Sequence, residues 1–154
     1  MQIRFHRQET DYTCGAAAMR MALEACGIRK SEKELARLLG TNKVRGTWHR
    51  KLPELAEKLR LDYIVKKNSS LAELKKAQKN GYVVIICYFY PPEKVDHYSV
   101  LKNIGSKSIY FWDPWFGPKH KYGIRYFLKV WHSDPRFERK KRWFFAVRKA
   151  KNIQ

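Results

Sequence analysis

The 154-residue sequence predicts an α+β fold, with most helices in the N-terminal half and most strands in the C-terminal half. Residues 15–25 are strong helix formers that are apolar on most faces, which predicts a buried helix ending at Gly27. Residues 82–89 are β-branched and aromatic, which is typical of a buried central strand. Two capping-box patterns, Ser31–Glu34 and Ser70–Glu73, predict the starts of two further helices.

The remaining elements follow from apolar periodicity and from turn residues. In chain order we expect a helix from Ser31 through Leu39, a helix at about residues 49–60, a short strand at 61–67, a helix from Ser70 to Gly81, the central strand, a hairpin of residues 97–101 and 108–112 around Gly105, a turn-rich loop at 113–118, a short helix at 126–131 and a last strand at 143–147.

Length and composition predict one domain, assigned to residues 1–148, followed by a basic tail at residues 149–154. The 44% hydrophobic and 14% aromatic content excludes a disordered chain. No apolar run reaches the roughly 18 residues of a membrane span, and the N-terminus lacks the apolar core of a signal peptide. A soluble, cytoplasmic protein is therefore expected.

The charge is strongly basic, with 33 Lys and Arg against 14 Asp and Glu and a formal net charge of +19. This balance suits a nucleic acid, an anionic membrane surface or an acidic protein as partner, but the same charges equally solvate an ordinary protein surface. Near the C-terminus, basic residues alternate with Phe137, Trp143 and Phe144. Aromatic side chains in such a pattern can stack on nucleic-acid bases, although a solvated turn before a core strand is the favoured interpretation.

Three cysteines occur, at Cys14, Cys26 and Cys87. An odd number and an expected reducing compartment argue against a disulfide framework, and the absence of a CxxC pair argues against a zinc site. We therefore expect no metal and no cofactor. Cys26, near a helix end, and Cys87, in the apolar strand, are interpreted as structural.

Cys14 stands at the start of the predicted buried helix. A thiol in this place lies at the positive end of the helix dipole, which favours the nucleophilic thiolate. The small residue Gly15 allows a substrate to approach the first turn. Gln8 lies upstream on a short polar loop, so its amide and the Cys14 backbone N–H could form an oxyanion hole. Taken singly, a structural cysteine and a surface glutamine are the ordinary interpretations.

His97 begins the first strand of the predicted hairpin, and Asp113 follows the second strand. If the strands pair, both residues lie at the same end of the hairpin. An imidazole there can form an ion pair with a thiolate and protonate a leaving amine, while a carboxylate holds the ring in one tautomer. Taken singly, His97 is a strand-end histidine and Asp113 is a turn former before Pro114. All four candidates occur in the chain order of thiol catalysis, which favours a catalytic site over separate coincidences.

Three segments carry a resemblance to a known family: residues 8–17, 97–100 and 113–117. They read Gln-Glu-Thr-Asp-Tyr-Thr-Cys-Gly-Ala-Ala, His-Tyr-Ser-Val and Asp-Pro-Trp-Phe-Gly. Together they resemble the bacteriocin-processing (double-glycine leader) peptidase family of the papain-like cysteine peptidases, and the similarity extends to about residue 131.

The resemblance implies a papain-like fold, in which a helical half presents the catalytic cysteine and a C-terminal half forms an antiparallel sheet. The roles that it implies are nucleophile for Cys14, general base and acid for His97, orienting residue for Asp113 and oxyanion donor for Gln8. Many members carry an acidic residue before the cysteine, where this chain has Thr13. The best-known members are exporter domains that cleave after Gly-Gly, whereas this chain resembles a stand-alone relative without a transporter, so that preference is not carried over.

The leading hypothesis is a cysteine peptidase that hydrolyses a peptide bond through an acyl-enzyme. Acyl transfer to an amine, as in transglutaminase-like enzymes, would use the same site, and a non-catalytic basic binding module would use the same scaffold. Candidate substrate-binding residues are Gly15, Trp48 and Trp115, although the tryptophans also fit a core. His120 is a weaker alternative base, because no strand is predicted beneath it. The sequence leaves the oligomeric state open.

Overall fold

The computed structural model describes residues 2–151. The elements within them are α1 (Cys14–Ala25), α2 (Glu32–Leu38), α3 (Lys51–Lys58), β1 (Asp62–Lys66), α4 (Leu71–Lys79), β2 (Val83–Tyr90), β3 (Val95–Ile104), β4 (Ser108–Asp113), β5 (Gly117–Gly123), α5 (Ile124–Val130) and β6 (Phe144–Arg148). All strands join one antiparallel sheet in the order β1-β6-β2-β3-β4-β5, which confirms the predicted α+β fold.

The helix starts and stops follow the local sequence signals. The Ser31 hydroxyl accepts the backbone N–H of Glu34 at 3.1 Å, and the Ser70 hydroxyl accepts that of Glu73 at 3.2 Å. Helix α1 ends just before Gly27, whose φ of +82° is the left-handed conformation that favours glycine. Both capping boxes and the end of the buried helix are therefore confirmed.

Strand β2 is buried on both faces, which explains its unbroken apolar sequence. Val83, Ile85 and Cys87 pack in a cluster with α1, α2 and α3. Val84 and Ile86 face the opposite side, in a cluster with α4 and α5. The sheet thus lies between two helical layers, and α1 packs against its centre.

The β3–β4 hairpin forms as the sequence predicts, with the Gly105 N–H donating to the Ser108 carbonyl at 2.8 Å in the turn. Val100 lies opposite Trp112 in the register of the two strands. The open end of the hairpin therefore combines the first residues of β3 with the last residue of β4.

Strand β5 corrects the sequence analysis, which had assigned no strand to residues 117–123. This segment is polar and contains Pro118, so its intrinsic strand propensity is low. It becomes a strand at the sheet edge by pairing with β4, and Phe111 lies opposite His120. His120 therefore does lie on a strand.

Residues 149–151 follow β6 without regular secondary structure. The rest of the predicted basic tail, residues 152–154, lies outside the described residues, and the boundary after residue 148 stays a prediction. Within residues 2–151, no helix has both the length and the apolar character needed to cross a membrane.

Because Gly15 has no side chain, α1 can lie close to Thr47 in the segment before α3. A larger residue at position 15 should push α1 and this segment apart. A Cβ at Gly15 would lie 2.7 Å from Thr47 Oγ1 and 3.2 Å from a ring carbon of Tyr98. We expect Gly15→Ala to lower the free energy of unfolding by about 1–3 kcal/mol, measured by urea denaturation. Gly123→Ala is the control, because a Cβ there meets nothing within 4 Å. An equal loss in both variants would contradict the packing argument.

Candidate active site

Cys14 is the first residue of α1, and its side chain is partly exposed. Its backbone N–H has no acceptor within the helix, because helices leave their first N–H groups unpaired. Cys26 and Cys87 are buried, and burial raises the pKa of both thiols, which keeps them protonated and unreactive at neutral pH. Among the three thiols, Cys14 alone has a partly exposed side chain.

A buried carboxylate fastens the loop before Cys14 to α2. Glu32, the first residue of α2, is 1% exposed. Its Oε2 accepts the backbone N–H of Glu9 at 2.7 Å and the Thr13 hydroxyl at 2.9 Å. Thr13, directly before the cysteine, therefore helps to hold the loop on α2. An acidic residue at this position would repel the Glu32 carboxylate.

His97 lies near the start of β3 and Asp113 ends β4, so the paired hairpin brings them together. His97 Nε2 is 2.7 Å from Asp113 Oδ1. A carboxylate only accepts hydrogen bonds, so Nε2 carries a proton and Nδ1 is left to face other groups. The same Oδ1 accepts the backbone N–H groups of Trp115 and Phe116, each at 2.9 Å.

The charges of this pair stabilise each other. Burial alone would lower the pKa of His97, but the Asp113 carboxylate and, to a smaller extent, the Cys14 side chain raise it to about 10. Burial alone would raise the pKa of Asp113, but the His97 imidazolium and the donors Phe116 N–H and Tyr88 hydroxyl hold it well below its ordinary range. At neutral pH the pair is therefore an imidazolium beside a carboxylate.

Gln8 lies on the loop before α1 and is 8% exposed. Its backbone N–H donates to the Pro114 carbonyl at 2.9 Å, which holds the loop against the turn after Asp113. Its side-chain Nε2 donates to the Thr10 carbonyl at 2.7 Å. A carbonyl cannot donate, so this bond selects the orientation of the amide and uses one of its two N–H groups.

A cleft of about 300 Å³ includes Gln8, Cys14 and His97 in its lining. The structure thus brings three of the four predicted site residues to one cleft, with Asp113 buried behind His97. The cleft walls also carry four exposed apolar side chains, those of Val44, Val95, Trp115 and Phe116.

The three residues predicted to bind substrate lie in different places. Trp115 lines the cleft and is 45% exposed. Gly15 is buried in α1, where it adjoins Thr47 and Tyr98. Trp48 is half-buried and packs edge-on against Phe137, with 6.1 Å between ring centroids.

A buried arginine joins one wall of the cleft to β3. Arg45 is 7% exposed, and its Nη1 donates to Asp96 Oδ1 at 3.0 Å. Its Nη2 donates to the Glu138 carboxylate, and its guanidinium lies 5.2 Å from the centre of the Trp48 ring. Because Asp96 directly precedes His97, this network supports the strand that carries the imidazole.

One group of described side chains has donor atoms close enough together for a metal ion: His49, Cys87 and Asp96, within 4.8 Å of one another. Two of these donors are already engaged, since Asp96 pairs with Arg45 and His49 Nε2 lies 2.6 Å from Ser133 Oγ. Burial and the charge of Arg45 lower the pKa of His49 to about 3. A metal cation here would lie beside a guanidinium, so we assign none.

Sequence reasoning did not single out Tyr88. This residue lies in β2 directly opposite His97, and its hydroxyl donates to Asp113 Oδ2 at 2.7 Å. His120, the alternative base of the sequence analysis, touches the other side of that hydroxyl, with its Nε2 at 3.4 Å. Tyr88 was one aromatic residue in an apolar run, and only the strand register could have identified it.

The aromatic residues of the basic C-terminal segment are not free to stack on bases. Trp143 is 3% exposed and Phe144 2%, and both belong to the core. Phe137 is half-buried between Trp48 and the guanidinium of Arg136. The segment therefore has the structure of a solvated turn followed by a core strand.

An antiparallel sheet that presents a histidine beside a cysteine at the start of a buried helix is the arrangement of the papain-like cysteine peptidases, which are hydrolases. The chain belongs to the Peptidase_C39 like family, whose model matches residues 1–136. A comparison with curated proteins finds no match to the sequence.

Several solved structures share the fold, including the following three. A protein described as a C39-like peptidase from Bacillus anthracis has a TM-score of 0.78 at 18% identity, over 98% of this chain and 96% of that one. The peptidase domain of Streptococcus ComA, a bifunctional ABC transporter involved in a quorum-sensing pathway, has a TM-score of 0.74 at 19% identity, over 97% of this chain and 100% of that one. A double glycine motif protease from an AMS/PCAT transporter, in complex with the leader peptide, has a TM-score of 0.70 at 16% identity, over 96% of this chain and 92% of that one.

The ion pair predicts an unusual titration of His97. We expect its imidazole to titrate near pH 10, against an ordinary pKa of about 6.5, in ¹⁵N NMR spectra. Cys14→Ala should lower this pKa because the interaction with the Cys14 side chain is lost, and Asp113→Asn should lower it further because the carboxylate has the larger influence. A His97 pKa that is the same in both variants and the wild type would contradict the charge coupling.

Proposed function

We propose that this chain hydrolyses a peptide bond with Cys14 as nucleophile, His97 as general base and acid, and Asp113 as the residue that orients His97. The observation that carries the proposal is the 2.7 Å contact between His97 Nε2 and Asp113 Oδ1, with His97 and Cys14 lining one cleft. A partly exposed cysteine at a helix start supplies the nucleophile, and the raised pKa of His97 keeps an imidazolium next to it.

The reaction starts from the thiolate of Cys14 and the imidazolium of His97. The thiolate attacks the peptide carbonyl carbon, forming the S–C bond and moving an electron pair to the oxygen. When the tetrahedral intermediate collapses, the C–N bond breaks and His97 gives its proton to the leaving amine. Neutral His97 then takes a proton from water, which attacks the thioester, releases the acid and restores the thiolate.

The developing oxyanion needs donors at the start of α1. The Cys14 backbone N–H is one, because the helix leaves it unpaired. The second N–H of the Gln8 amide is the other, since the bond to the Thr10 carbonyl uses only one. A donor of this kind contributes roughly 3–4 kcal/mol to stabilisation of the transition state.

The substrate class that we infer is a peptide. A structural relative of the same fold was solved with a leader peptide, which shows that this fold accommodates a peptide chain. The cleft of this chain has the exposed apolar residues Val44, Val95, Trp115 and Phe116 on its walls. Such walls favour a peptide with an apolar side chain close to the cleaved bond.

Alkylation tests the nucleophile without knowledge of the substrate. We expect iodoacetamide to label Cys14 at least about tenfold faster than Cys26 or Cys87 at neutral pH, because only Cys14 is partly exposed and lies beside an imidazolium. His97→Ala should reduce this rate advantage to what the greater exposure of Cys14 gives by itself, as followed by mass spectrometry of the labelled peptides. His132→Ala is the matched control and should leave it intact. Equal labelling of all three cysteines in the wild type would overturn the proposal.

Gln8 should affect peptide hydrolysis but not alkylation. We expect Gln8→Ala to lower the turnover of a fluorogenic peptide library by roughly 100-fold, because the oxyanion loses a donor. Alkylation of Cys14 by iodoacetamide forms no oxyanion, so its rate should stay within about twofold of the wild type. The exposed Gln2 provides a control variant, Gln2→Ala, with normal turnover. A parallel loss of both rates in Gln8→Ala would indicate a displaced cysteine instead.

A further inference from the structure

Tyr88 places a hydroxyl in the protein interior, next to Asp113 and His120. Its side chain is 0% exposed and packs with α4, α5 and the neighbouring strands. A phenylalanine would fill nearly the same volume without placing a polar group in the interior. A buried hydroxyl is costly unless it forms a hydrogen bond, so its partner indicates its use.

The partner of this hydroxyl is the carboxylate that binds His97. Tyr88 Oη donates to Asp113 Oδ2 at 2.7 Å, while Asp113 Oδ1 is occupied by His97 and by two backbone N–H groups. Tyr88 is the one hydrogen-bond donor to Oδ2 among residues 2–151. Burial and the Asp113 charge raise the pKa of Tyr88 well above its ordinary value, so the phenol stays protonated and able to donate.

The strand register places Tyr88 directly opposite His97. Its Cα pairs with that of His97 in the β2–β3 register, and the two rings meet edge to face with centroids 5.4 Å apart. Directly opposite residues of an antiparallel pair share one face of the sheet. Tyr88 therefore contacts the imidazole through its ring and the carboxylate through its hydroxyl.

We propose that Tyr88 is a positioning residue, which holds Asp113 in one rotation and through it keeps the His97 ring aligned. This proposal rests on the proposed roles of Cys14, His97 and Asp113. Without the phenol, Oδ2 would lack this donor and the carboxylate could turn about its Cβ–Cγ bond. The hydrogen bond to His97 would then weaken, and the imidazolium would be less well held beside the thiolate.

The test is Tyr88→Phe, which removes a single oxygen atom. The matched control is Tyr110→Phe in β4, because within residues 2–151 the Tyr110 hydroxyl forms no hydrogen bond. Circular dichroism and thermal melting establish that both variants are folded. In Tyr88→Phe we expect roughly tenfold slower alkylation of Cys14 by iodoacetamide at neutral pH, and wild-type rates in Tyr110→Phe.

A spectroscopic readout separates positioning from a general loss of structure. The His97 Nε2–H proton should appear far downfield in the wild-type NMR spectrum, because it is bonded to a buried carboxylate. In Tyr88→Phe this proton should exchange with water roughly tenfold faster, while the amide spectrum of the remaining core stays unchanged. A folded variant with wild-type alkylation and a wild-type Nε2–H signal would overturn the proposal.

Two further outcomes have defined meanings. If wild-type Cys14 reacts no faster than Cys26 and Cys87, the proposed function fails and the catalytic part of this inference fails with it, whereas the His97 signal still reports the contact. If Tyr88→Phe does not fold, the NMR signal of the Tyr88 hydroxyl proton in the wild-type protein tests the contact with Asp113 instead. A hydroxyl proton shifted downfield, as expected for a hydrogen bond to a carboxylate, supports the contact with Asp113, and a proton without this shift overturns it.

Discussion

The proposed site depends on one buried ion pair, formed by the His97 imidazolium and the Asp113 carboxylate. Removing two opposite charges from water costs roughly several kcal/mol per ion, which must be offset by close contact and by further hydrogen bonds. Asp113 is 0% exposed and accepts hydrogen bonds from His97, from the Tyr88 hydroxyl and from the backbone N–H groups of Trp115 and Phe116. All of these donors come from β2, β3 or the turn after β4. The pair is therefore stable only where these strands are paired in this register.

Cys14, the proposed nucleophile, comes from the helical half of the chain, so the two halves must be joined at the site. The Gln8 backbone N–H donates to the Pro114 carbonyl at 2.9 Å, and Arg7 Nη1 donates to the Trp115 carbonyl at 2.7 Å. Both bonds tie the segment before α1 to the turn after Asp113. Apolar packing of α1 on the sheet brings the halves together, and these directional bonds set how the thiol and the imidazole are aligned.

Local sequence signals predicted most elements because they act over a few residues. The two capping boxes start helices, and the apolar run at β2 forms the central strand. Strand β5 was missed because its residues are polar and include Pro118, so that pairing with β4 rather than propensity makes it a strand. Tyr88 was missed because nothing in an apolar run distinguishes one aromatic residue until the register places it opposite His97.

The sequence by itself determined which reactive groups are present and in what order, and it placed Cys14 at a helix start and His97 and Asp113 at one end of a hairpin. Only the tertiary structure decided that Trp115 lines the cleft while Trp48 packs beneath a guanidinium, and that His97 keeps its proton at neutral pH. The physical reason is the range of the interactions. Caps and periodicity depend on neighbours in the chain, whereas register, burial and the pKa of a buried pair depend on segments that meet only after folding.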